Sequence, residues 1–174
     1  MTSRLLVDKI ESKTGDQIDL STNQLKMPVG HVIQVVTNVN TETSNINSDT
    51  TSFVASGFSV SITPKAVGNK ILVQYNTAMA HKQVTGASEC KLYIDGSQAS
   101  TSNGGTSTGS YWGGYCVATN NATDYSPRLG TYLYTAVDTN SHTFEPYFRS
   151  MNTNNFYFIH SDASAMIMAT EIQA

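Results

Sequence analysis

Two β-strands stand back to back between Phe58 and Ala80, and no later segment carries a helical period. Phe58, Val60 and Ile62 alternate with Ser59, Ser61 and Thr63, the period-2 signature of a strand with one buried face. Pro64 has no N–H with which to continue a ladder, and Ala66–Asn69 supplies turn chemistry. Ile71, Val73, Tyr75, Thr77 and Met79 then resume the alternation. A chain that opens its main apolar stretch this way is committed to pleated sheet, because successive side chains of a strand point to opposite faces.

The same pattern recurs between turn signals along the rest of the chain. Val32–Val39, Phe53–Thr63 with a bend at Gly57, Lys70–Ala80 and Ser88–Asp95 read as strands, the last closing on an Asp95-Gly96 hairpin signal. Ser110–Thr119, Arg128–Val137, His142–Ser150, Asn155–His160 and Ser164–Ile172 follow. Asn38–Thr51 reads as a polar loop, and Ala99–Ser110 as a low-complexity one. The spacing predicts an all-β fold, an antiparallel jelly-roll-like β-sandwich over residues 30–174.

Residues 1–29 differ. Leu5, Val7, Ile10, Ile18 and Leu20 are separated by charged and turn residues, and a short helix over Ser3–Lys13 is one reading. Such a segment carries apolar residues but too few to form a core of its own. It is expected to be an extended N-terminal arm that packs on another surface, serving oligomerisation or attachment.

Composition narrows the function classes. Ser, Thr and Asn make up roughly a third of the chain, about twice average usage, while charged residues are only 13%. The formal net charge of −3 and the scattered Lys and Arg argue against nucleic-acid binding, which needs a basic stripe. Leu5-Leu6-Val7 is interrupted by Asp8, so no secretory signal is legible, and no apolar run approaches the roughly 18 residues of a membrane span. Synthesis in the cytoplasm without membrane insertion is the expectation. Cys90 and Cys116 read as buried, reduced thiols, with a disulfide between them as the alternative.

No catalytic or cofactor motif survives inspection. Gly104-Gly105-Thr106-Ser107-Thr108-Gly109 lacks the Lys and the following helix of a phosphate-cradling loop. His31, His81, His142 and His160 show no metal-ligand spacing. No spacing of Asp and Glu imposes the facing carboxylates of a glycosidase. The expectation is no catalytic residue, no metal, no cofactor and no turnover. The most suggestive surface candidate is Tyr111, Trp112 and Tyr115 beside the Ser/Thr/Gly loop, where rings can stack on a sugar's apolar face. The competing reading is that these rings alternate into the core.

A set of short patterns also resembles a β-rich module of bacteriophage virion proteins, of the tail-fibre kind seen in phages of cyanobacteria and marine bacteria. The residues are Gly30-His31-Val32-Ile33-Gln34, Ser61-Ile62-Thr63-Pro64-Lys65 followed by Lys70-Ile71-Leu72-Val73, Leu92-Tyr93-Ile94-Asp95-Gly96, Phe148-Arg149-Ser150 and the terminal strand Ala165–Ile172. Val7–Glu11 and Thr14-Gly15 look like the segments that precede such modules. The resemblance implies a virion structural protein assembled in the host cytoplasm, a homotrimer with a jelly-roll-like head. The expected partners are other virion proteins through the arm and, from the aromatic stretch at Tyr111, Trp112 and Tyr115, a host surface glycan. A short fibre is the leading reading. A capsid decoration protein, and a glycan-binding or glycan-cleaving tip, are the alternatives.

Overall fold

In the computed structural model, the chain is described over residues 29–40, 46–81, 86–99, 115–118, 124–150, 156–159 and 164–174. These residues form strands β1 (Val32–Asn40), β2 (Ile46–Ser48), β3 (Val54–Ala55), β4 (Val60–Ile62), β5 (Lys70–His81) and β6 (Gly86–Ile94). They continue with β7 (Ser97–Gln98), β8 (Tyr115–Ala118), β9 (Asp124–Thr135), β10 (His142–Ser150), β11 (Phe156–Ile159) and β12 (Ala165–Ile172). All pairings are antiparallel.

Several short strands are pieces of longer ones. β11 and β12 lie one after the other along β5, and β1 and β2 run beside β12 and β11 in the same way. β3 and β4 share one edge of β10. With these merged, the first sheet reads β1–β12–β5–β9 across and the second β4–β10–β6–β8. In chain order that is first, last, third and sixth strand in one sheet, and second, seventh, fourth and fifth in the other. This is jelly-roll order, the product of two Greek keys. The all-β sandwich expected from the alternation is the fold.

The break between β3 and β4 has a local cause. Pro146 lies in β10 opposite the gap and has no N–H to offer an edge partner. Its carbonyl instead accepts from Ser56 N at 3.1 Å, and Glu145 Oε1 accepts from Gly57 N at 2.7 Å. The Ser56 hydroxyl closes the turn onto Phe58 N. Gly57 sits at φ +69, a conformation that favours glycine.

The core fills the space between the sheets. Ile71, Val73 and Tyr75 of β5 and Ile167 and Ala169 of β12 meet Val60 and Ile62 of β4, Leu92 of β6 and Phe144 and Phe148 of β10. Phe148 stacks on Phe158 with centroids 5.2 Å apart. Each large side chain buried here stabilises by about 1.5–3 kcal/mol. Cys90 is a free, buried thiol in this layer, and burial pushes its pKa up to about 12 against a hydrogen bond from Tyr75 that favours the thiolate. The thiolate is therefore suppressed at neutral pH.

Candidate functional site

The residues singled out for surface chemistry fall mostly outside the described part of the chain. Leu5, Val7, Ile10, Ile18 and Leu20 do so, as do Tyr111 and Trp112. The backbone of Tyr115 lies in β8 opposite Glu89, and its side chain is outside the described residues. Three other groupings are visible.

The first gathers residues from several of the short sequence patterns. Glu171 of β12 is fully buried and accepts hydrogen bonds from Gln34 Nε2 at 2.5 Å, Asn69 Nδ2 at 2.6 Å and Lys65 N at 2.8 Å. Gln34 Nε2 also donates to the Thr63 carbonyl, and Asn69 Oδ1 accepts from Ala174 N. A buried carboxylate is tolerated only when such donors satisfy it. The G-x-V-I-Q and S-I-T-P-K patterns thus meet in space around one carboxylate, which ties β1, the β4–β5 turn and β12 together. Its donors satisfy it as a structural tie.

The second centres on His142, whose side chain is 8% exposed. Nδ1 lies 2.7 Å from Asp95 Oδ2 and Nε2 lies 3.1 Å from Asp138 Oδ1. Asp95 sits at φ +51 in the turn after β6, and its other oxygen accepts from Thr143 N. Asn140 N, ahead of His142, holds the Asp138 carboxyl below its ordinary range. Tyr134 packs edge-on against the ring. Asp95 and His142 stand far apart in sequence, and neither was expected to meet the other. Asp–His pairs also orient bases in hydrolases, yet here both ring nitrogens face carboxylates, which leaves no nitrogen for a nucleophile. Among the described residues, no group of three or more His, Cys, Asp or Glu is placed to hold a metal.

The third grouping is the contrast between the two outer faces. On β6 and β10, Tyr93 and Tyr147 stack with centroids 3.8 Å apart. Beside them Glu89, 3% exposed, is paired with Arg149 at 2.8 Å. Arg149 and Lys91 both lie over the Phe53 ring, at 4.7 and 4.6 Å. Opposite charges and rings are thereby paired within the chain.

On the outer face of the other sheet, three rows of described residues carry no charge. The registers align Val35, Thr170, Leu72 and Leu133 in one row across β1, β12, β5 and β9. The next row is Thr37, Met168, Gln74 and Thr131, and the third is Val39, Met166, Asn76 and Leu129. None of these side chains is charged. Lys70 stands one row beyond and donates to Thr135. Leu129 is 74% exposed, Val35 52%, Val39 51% and Leu133 41%. The sequence signal for this face is the non-core half of each alternating strand, which carries no chemical motif. No protein-family model and no curated protein matches this chain.

Proposed function

We propose that this chain is a structural component of a bacteriophage particle, a short fibre that works by burying surface against other copies of itself and against other virion proteins, with no substrate turned over. The observation that carries this reading is the three uncharged rows on the outer face of the β1–β12–β5–β9 sheet. Val35, Val39, Leu129 and Leu133 are exposed around a middle row without charge, and exposed apolar side chains grouped on one face mark protein interaction sites. The resemblance to phage virion modules supplies the particle, and residues 1–29 the attachment to it. A host-surface glycan is the contact proposed at the far end.

The test is to purify phage particles encoding this chain, identify it by peptide mass spectrometry, and label it with gold-conjugated antibody. Gold on projections from the particle supports the fibre reading. Gold spread over the capsid shell would make it a decoration protein, and absence of its peptides from purified particles would remove the reading.

A further inference from the structure

We infer that the outer face of the β1–β12–β5–β9 sheet is a contact between two copies of this chain, paired face to face about a two-fold axis. The inference rests on the reading of the chain as an assembly protein and adds the partner and the geometry.

The first argument is self-complementarity. A two-fold contact uses the same patch twice, so the patch must match itself. The β1 edge presents Val35, Thr37 and Val39, and the β9 edge presents Leu133, Thr131 and Leu129. Both edges read apolar, hydroxyl, apolar about the same central row. A two-fold axis along that row places Val35 over Val39 of the second copy, and Leu133 over Leu129. An axis along the strands places Val35 over Leu133 and Val39 over Leu129. In both, the edge hydroxyls Thr37 and Thr131 lie on edge hydroxyls, and the edge aliphatics Val35, Val39, Leu129 and Leu133 lie on edge aliphatics.

Charge is the second argument. A partner with fixed charges would lose their hydration against this face and find no counter-charge there. The face itself is a surface that fulfils the requirement. Electrostatic steering is absent too, so recognition falls to shape and apolar burial.

Size is the third. Taken over the full nine residues of β1, and so including the Lys70 row beyond the three uncharged ones, the face is about 30 Å long at roughly 3.3 Å each, and four strands at about 4.8 Å span roughly 19 Å. That is about 600 Å² in projection, against the ~800 Å² per partner of a standard interface. Twisted sheets pack face to face at about −30°, which centres the contact on the middle row.

The experiment uses the full chain and reads mass by analytical ultracentrifugation at 1–50 μM, concentrations on the order of those separating weak from stable pairs. The wild-type chain should sediment as an even number of subunits, and Val39→Lys should halve that mass with an unchanged circular dichroism spectrum. Mixing Val39→Lys with Val35→Glu restores the pair if the axis follows the central row. Mixing it with Leu129→Glu restores it if the axis follows the strands. Val39→Lys with Val39→Glu restores nothing in either arrangement. A wild-type monomer, a simple trimer, or a Val39→Lys chain of undiminished mass overturns the inference. Detection of the chain in particles is a separate readout, so failure of the pairing leaves the virion reading standing, and loss of the virion reading leaves the pairing measurable.

Discussion

The two outer faces of this sandwich solve the same problem in opposite ways. Each belongs to a sheet whose inner side is committed to one shared core. On the β6–β10 side the outward residues are matched within the chain, Glu89 with Arg149, Tyr93 with Tyr147, Lys91 with Phe53. On the β1–β9 side the outward residues of the three middle rows are Val, Leu, Met, Thr, Asn and Gln, with no ion pair among them. A face whose groups satisfy one another is finished in the folded chain. A face of exposed aliphatics gains more by being covered than by staying in water.

This contrast can be broken at several depths. Phe148→Ala empties the layer on which both faces rest and should cost about 3–5 kcal/mol, read as a lower urea midpoint. If it cost less than one, the sheets would not share a core. Glu89→Gln should cost about 1–2 kcal/mol, since it strips the buried partner from the half-exposed Arg149 guanidinium. A neutral result would mean that the β6–β10 face is not held by its charges. Asp138→Asn concerns pH. The Asp138 carboxyl is held below its ordinary range, so its contribution is present above that range and is lost as pH falls through the lowered value. The wild-type chain should lose stability over that acid interval, and the variant should show a flatter profile there in chemical denaturation. Thr131→Lys, in the uncharged face, should shift the stability of the isolated chain by less than about 0.5 kcal/mol. A large loss there would mean that the face is packed within the monomer.

Much of the fold was legible because period 2 is a strong signal when aliphatics alternate with hydroxyls. Phe58, Val60, Ile62, Ile71, Val73 and Tyr75, picked from alternation, are all buried. The Asp95-Gly96 turn and the bend at Gly57 also stand where turn chemistry put them. β2 lies inside a stretch read as polar loop, since three residues with one aliphatic carry no period and pair only because β11 offers an edge. β9 begins at Asp124, earlier than Arg128, through pairing with the long β5. The His142 cluster joins residues 47 positions apart and depends on register. The uncharged face had a readable half, the alternating outward residues of β1 and β9, but its rows exist only once four strands are aligned.

The pairing of Gly30 N with Gln173 O, and of Gln173 N with His31 O, places the entry to β1 beside the end of β12. Tension drawn into the sandwich through residue 29 along the strand axis would slide β1 past β12. The bonds from Val32 opposite Ile172 to Asn40 opposite Ala165 would then share the strain together, in shear. The Glu171 carboxylate, gripping Gln34 near the point of entry, acts as a cleat at the loaded end of that ladder. A tether attached here pulls on the molecule in its stiffest direction.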